Sequence, residues 1–412
     1  MLETKPAMPR DDLIDALRGV ALFGILAVNI QSFVWGVGSP SLGVLFETSR
    51  VADEVCLFFT ALLFEYKFYP IFCFCFGVGF AVQTRRWTAR GISAHARFTR
   101  RMNFMLFMGI AHGLLLWFGD ILARYAIAGY LLRRHIRKGP RALLGAAKFW
   151  LIIVVVTSVL FAVIAGVSSS GEAEHSSDTV GENQATQIQA EQEGERVFAI
   201  YTEADYIDAT LQRANDFLIV TATYIFVLPQ VMLLFLLGAL TAQLKWLRYP
   251  SRYRSFWLRV FWCGLLVGLP INIAFAVSQL AVASSPWLPT TMWQALPGSF
   301  APVLALAYVA AFALVRTSQA GLALVRLFAP AGRLALTLYV SQSVLMALLL
   351  NGFGYGLGAA FGQFELFVTA VVIYALLLAV AHLMQRFNIS GPLEGIWRRY
   401  TDSASGSYTK NK

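Results

Sequence analysis

Phe149-Trp-Leu-Ile-Ile-Val-Val-Val-Thr-Ser-Val-Leu-Phe-Ala-Val-Ile-Ala-Gly-Val167 runs for nineteen residues without a charged side chain. As a helix it would reach about 28 Å, close to the hydrocarbon thickness of a bilayer. The whole chain shares this character, with 58% hydrophobic and 14% aromatic residues against 14% charged over 412 positions. A soluble domain of that composition would expose far too much apolar surface, so lipid is the expected solvent.

Working outward from 149–167, nine further apolar runs approach spanning length: 13–34, 55–82, 102–118, 121–132, 216–244, 256–281, 298–315, 334–350 and 364–384. The run at 121–132 is short and crosses only if flanking arginines snorkel. The region 52–83 is too long for one straight span and holds Glu65, Lys67 and Pro70, which predicts an interfacial helix, a break near Pro70 and then a crossing helix. The expected fold is all-α, a polytopic membrane bundle of about ten transmembrane helices.

Net charge is +10, but Lys and Arg fall in short clusters between apolar runs, which argues for topology and against a nucleic-acid face. Five connections carry them: 85–101, 133–148, 245–259, 316–333 and 386–399. Ten spans place all five on one side, and the positive-inside rule makes that side, with both termini, cytoplasmic. The intervening connections around Trp287 and Gly356 are almost uncharged, as suits an outer face. The expected division is membrane helices in 1–167, an acidic and largely disordered periplasmic loop in 168–213, and membrane helices with an amphipathic cytoplasmic tail in 214–412. The loop holds ten Asp or Glu against Arg196 and Arg213, with a helix expected over 195–212. The first span lacks a small-residue cleavage pattern, so no signal peptide is expected. Cys56, Cys73, Cys75 and Cys263 lie in apolar stretches without a CxxC pair, so neither disulfides nor a metal site is expected.

Polar groups inside spans are the natural place to look for chemistry, because each is costly there unless paired or useful. Asp15 and Arg18 lie three apart and can pair near the inner mouth. Asn29 follows Arg18 by eleven positions, on the same helical face and about 16 Å away. Arg18 reads either as an interface anchor or as an anion clamp. His112 is the one histidine deep in a span, and depth counting puts it level with Asn29, so that the two can meet. It reads either as a general base or as a neutral histidine bonded across a helix interface, and Gly109 and Gly113 leave room for a neighbouring helix. Asp120 reads as the N-cap of the fourth span, with Arg124 as ion-pair partner, or as the group that orients His112. Thr337, Tyr339, Ser341 and Gln342 make a polar patch in the ninth span, and Pro392 opens a short amphipathic helix.

Asp15 through Asn29, Phe76-Gly77-Val78-Gly79-Phe80, His112 through Leu122, Gly332-Arg333-Leu-Ala-Leu-Thr337 and Gly391-Pro392-Leu393-Glu394 together resemble the YeiB-like family of bacterial inner-membrane proteins, domain of unknown function 418. The resemblance covers nearly the whole chain outside the acidic loop. The first span is also similar, more distantly, to that of the transmembrane acyltransferases, of the acyltransferase-3 and heparan glucosaminide acetyltransferase types. Those enzymes move acyl groups from cytoplasmic acyl-CoA to extracytoplasmic sugars. Acyltransferase-3 members carry a His eleven positions after the Arg, where this chain has Asn29; heparan-type members take their His from elsewhere, a part open to His112. The resemblance implies His112 as base, Asn29 as oxyanion donor, Asp120 as orienter, and Arg18, Asp15, Arg124 and Arg333 on the donor side, with acyl-CoA as co-substrate and an envelope acceptor. A transporter using the same residues as a relay, or a scaffold or sensor acting through the acidic loop, is the alternative class.

Overall fold

The computed structural model describes residues 12–37, 50–174, 180–284 and 290–402, and among these residues it contains helices and no strand. The helices are α1 (Asp12–Asn29), α2 (Ser32–Trp35), α3 (Val51–Leu63), α4 (Phe68–Ala89), α5 (Ala94–Leu115), α6 (Leu122–Leu132), α7 (Pro140–Glu174) and α8 (Val180–Thr202), followed by α9 (Tyr206–Gln243), α10 (Arg254–Ser284), α11 (Thr290–Val315), α12 (Gln319–Arg333), α13 (Ala335–Leu350), α14 (Gln363–Arg386) and α15 (Pro392–Asp402). Six stretches are long and apolar enough to cross a membrane: Asp12–Trp35, Val51–Ala89, Pro140–Phe161, Tyr206–Gln243, Arg254–Leu280 and Gln363–Arg386. Pro302–Val315 with Gln319–Arg333, bent by 118°, makes a seventh if the pair is one span. The chain is a multi-pass helical membrane protein. The other expected crossings fall on α5, which begins in a basic cluster, on α6 with 11 residues and on α13 with 16. On α7, Ile152, Val156 and Val159 stand more than half exposed, as a lipid-facing surface would.

Small residues let these helices approach. A Cβ on Gly77 of α4 would collide with the Phe235 carbonyl of α9, and one on Gly238 with that of Phe74; Gly19 and Gly332 bring α1 and α12 together in the same way. The segment 316–333, expected as a basic connection, is thus largely the helix α12 packed along α1. It buries Val325 and Ala329 beside Leu17 and Ala21 in one cluster.

Two expectations shift. The break between α3 and α4 falls at residues 64–67, ahead of Pro70, which occupies the first turn of α4. That turn has no intrahelical use for its N–H groups, so a proline fits there. The break is made instead by Tyr66 at φ +58°, and the buried Lys67 Nζ donates to the Ala61 carbonyl that α3 leaves open. The acidic segment, expected to be largely disordered, is mostly helical: α7 continues to Glu174 and α8 covers 180–202, with 175–179 outside the described residues. Its Glu, Gln and Ala are good helix formers, and Val197 and Tyr201 bury its far end in the main core. The helix expected over 195–212 is interrupted at 203–205, because Asp205 accepts from Ile207 and Asp208 N–H and starts α9 as an N-cap.

All five basic connections meet at one end of the bundle. One cleft joins Arg86, Arg97 and Arg101 to Arg333 and Arg398; a second joins Arg85 to Arg137 and Lys138. The Arg316 Nη1 donates to the Leu247 carbonyl, which ties the remaining connection, 245–259, to 316–333. The uncharged connection around Trp287 lies outside the described residues.

Candidate functional site

The connection from α5 to α6 turns back sharply, with the Leu116 and Trp117 N–H groups both donating to the His112 carbonyl. Asp120 closes the turn: its Oδ2 accepts from the Ala123 N–H at 2.7 Å, capping the start of α6. Gly109 is what permits this, since any Cβ there would strike Asp120 and the Ala123 nitrogen. The other carboxylate oxygen, Oδ1, stands 3.0 Å from His112 Nδ1. The approach is off the line of an ideal N–H···O bond, so it acts as a short electrostatic contact rather than an aligned hydrogen bond. On the opposite side of the ring, His112 Nε2 lies 2.8 Å from Ser343 Oγ on α13.

Asp120, His112 and Ser343 are 0, 3 and 2% exposed. The Tyr339 ring leans on the imidazole with centroids 4.9 Å apart, and its hydroxyl accepts from the Ile121 N–H at 3.2 Å. Trp117 stacks on Phe33 and meets His112 edge-on, 6.4 Å between centroids. With Asp120 at Nδ1, the imidazole tautomer protonated there presents Nε2 as an acceptor to the Ser343 hydroxyl. The set can therefore move a proton between a hydroxyl and a base held in one orientation.

The sequence-expected residues fall into two groups. His112 and Asp120 meet. Asn29 ends α1 half-buried and makes no hydrogen bond to His112, whose second nitrogen is occupied by Ser343. Arg124 is turned from Asp120 to the Phe118 carbonyl, at 3.5 Å. The second group gathers at the basic end: Arg18 Nη1 is 3.4 Å from Asp15 and its Nη2 donates to the Cys75 carbonyl at 3.0 Å, while Arg333 pairs with Asp12 at 2.6 Å and approaches Asp15 at 3.7 Å. Gly79 leaves the space that the Arg18 guanidinium fills.

Beside this second group lies a cleft of about 370 Å³ with Arg86, Arg90, Arg97, Arg101, Arg333 and Arg398 on its walls, Trp87 and Trp397 among them. Arg101 is buried, stacks over Trp397 at 4.3 Å, bonds Gln83, and lies near enough to Arg18 for the two charges to repel. Arg97 pairs with Asp402; burial and the like charges of Arg90 and Arg100 lower its pKa. Glu394 and Asp402 supply the cleft's only acids among the described residues, and Glu394 is spent elsewhere. Its Oε1 accepts from the Leu336 and Thr337 N–H groups at 2.9 and 3.1 Å and its Oε2 from the Thr337 hydroxyl, so α15 caps the start of α13.

Sequence reasoning missed Ser343, the cleft tryptophans and the role of Glu394. Ser343 stood within reach: it follows Tyr339 by four positions and so shares the face of that polar patch.

The family model described as a protein of unknown function, DUF418, matches residues 241–404, which hold Arg333, Ser343 and Glu394. Along nearly its whole length the chain is similar to the uncharacterised protein YxaH of Bacillus subtilis, 26% identical over 95% of this chain and 94% of the relative, and to the uncharacterised protein YeiB of Escherichia coli, 25% identical over 97 and 98%. The matched region and both full-length relatives support the resemblance to the YeiB-like, DUF418 family. A third relative, a 39.9 kDa protein from the amylase 3' region of Bacillus acidopullulyticus, is 37% identical over 29% of this chain. Two of the motifs that carry the resemblance, Gly332 to Thr337 and Gly391 to Glu394, lie within the matched region and are the two halves of the α13 cap. A Cβ on Gly391 would meet the Glu394 carboxylate and the Thr337 hydroxyl, so a side chain there would disturb the cap.

Proposed function

We propose that this chain is an acyltransferase of the bacterial inner membrane, crossing it about ten times with both termini in the cytoplasm. The acyl group comes from a cytoplasmic acyl-CoA held in the arginine cleft, and an envelope or small-molecule hydroxyl receives it. The observation that carries the reading is the His112–Asp120 pair, an oriented imidazole with a hydroxyl on its free nitrogen, buried where a transferred acyl group would be kept from water. The cleft supports it from the other side. CoA presents phosphates and an adenine ring, and six guanidinium groups with two indole faces are the chemistry that recognises both. One helix links the two regions: Arg101 and His112 lie eleven residues apart on α5, about 16 Å, a reach suited to the extended arm between the phosphates and the thioester. The collection of all five basic connections at one end supports the orientation.

The test is a titration of the purified chain in lipid nanodiscs with CoA and acetyl-CoA. Binding below millimolar concentration is expected, weakening with added salt, and Arg101→Ala or Arg18→Ala should raise Kd about tenfold or more, the equivalent of about 1.4 kcal/mol. Absence of CoA binding at millimolar concentration, with solute flux into proteoliposomes, would replace the acyltransferase by a transporter.

A further inference from the structure

We propose that Ser343 is a covalent nucleophile: the acyl group is carried as an ester on Ser343 Oγ between donor and acceptor. The inference rests on the acyl-transfer reading above and adds to it an intermediate and the residue that holds it.

Three helices each contribute one polar side chain to a buried line, Asp120 ahead of α6, His112 on α5 and Ser343 on α13. Here both nitrogens are engaged, one by a carboxylate and the other by a hydroxyl at 2.8 Å, and orienter, base and nucleophile are the parts of covalent acyl transfer.

The placement of the hydroxyl is a second, independent observation. Hydroxyls in apolar helices ordinarily donate to the carbonyl one turn back, as Thr84, Ser158 and Thr241 do at 2.7, 2.6 and 2.7 Å. Ser343 keeps only a long bond to its own such carbonyl, that of Tyr339, at 3.4 Å, and lies closer to the imidazole, at 2.8 Å. Near the same ring the Trp117 Nε1 is buried with no acceptor among the described residues, an unused N–H donor suited to an oxyanion.

The step balances without a further reagent. Ser343 Oγ attacks the thioester carbon as His112 Nε2 takes the hydroxyl proton; the C–S bond breaks, and the proton leaves with sulfur as the free CoA thiol. An acceptor hydroxyl then attacks the Ser343 ester, giving its proton through His112 back to Ser343 Oγ as the C–O bond breaks.

The experiment incubates the full chain in nanodiscs with acetyl-CoA and, separately, with a small fluorophosphonate ester, which marks an activated serine whatever its natural donor. Peptide mass spectrometry should find an acetyl or a phosphonyl group on Ser343, none on Ser343→Ala, and marking slowed about 10²- to 10⁴-fold in His112→Gln. Should Ser343→Ala fail to fold, Ser343→Cys keeps the test: it should take acetyl as a thioester that neutral hydroxylamine removes. Ser343 left unmarked by both reagents, in protein that binds CoA, overturns the nucleophile and leaves the CoA reading standing. A phosphonyl group on Ser343 with neither acetyl transfer nor CoA binding supports the nucleophile and removes CoA as donor.

Discussion

The arginine cleft and the His112 site stand at opposite extremes of how a membrane protein carries polarity. At the cleft, cations outnumber acids and water is close, so repulsion between Arg90, Arg97 and Arg100 is screened and tolerable. At the His112 site the groups face one another singly: one carboxylate the imidazole, the imidazole one hydroxyl, and Tyr339 closes the turn beside them. An unmatched polar atom costs about 1 to 3 kcal/mol in such a place, and His112 Nδ1, Asp120 Oδ1 and Trp117 Nε1 have no aligned hydrogen bond among the described residues. Surplus charge in a wet cleft is a sign of something to be bound. A buried polar set, with one hydroxyl closer to an imidazole than to its own helix carbonyl, is a sign of something to be done.

The sharpest way to break this contrast is to ask whether the two regions lie toward opposite sides of the membrane. Reporters fused after Lys148 and Arg254 should report cytoplasm, and one inserted at Gly181 the periplasm, an all-or-none difference in alkaline phosphatase against fluorescent-protein signal. Periplasmic signal after Arg254 would put the cleft where acyl-CoA does not occur.

Next in size is His112. His112→Ala should lower acyl transfer by about 10²- to 10⁴-fold, measured as thiol release from acyl-CoA, while CoA affinity at the cleft stays within about twofold. His112→Gln separates chemistry from packing, because glutamine can bond Ser343 but cannot take up a proton near neutral pH. It should recover thermal stability and not turnover. A His112→Gln protein with wild-type turnover would reduce the deep site to a structural device.

The smallest effect expected is at Glu394, which touches both regions by capping α13 and lining the cleft. Glu394→Ala should cost about 1 to 2 kcal/mol of stability, seen as a lowered melting point in detergent, with transfer per folded molecule largely kept. If CoA affinity changes more than stability does, the cap and the cleft are one functional unit.

What was legible from sequence follows the same division. The apolar runs and the five arginine clusters are local, and they gave the helical bundle and its basic end from composition alone. The α3–α4 break was placed three residues late, because proline was weighed without its position in the first turn of α4. His112 and Asp120, eight positions apart, could be paired on paper through the turn between them. Ser343 could be placed on the face of Tyr339 but not paired: it joins His112 across 231 residues, and no period or spacing on one helix says which face of another it will meet. Asn29 shows the converse hazard, since matching depth in the bilayer brought it level with His112 without bringing it into contact. Glu394 meets Thr337 57 residues away, so two motifs that looked independent are one hydrogen-bonded unit.

That unit also sets an order of events during synthesis. Ser343 and the rest of α13 leave the ribosome before Glu394 does, so α13 is made with the Leu336 and Thr337 N–H groups still lacking the carboxylate that later accepts from them. Elements generally fold as they emerge. Here the His112–Ser343 contact can be made early, but its helix is capped only once α14 and α15 have been made, so a newly made chain locks its deep site last, from the opposite end of the bundle.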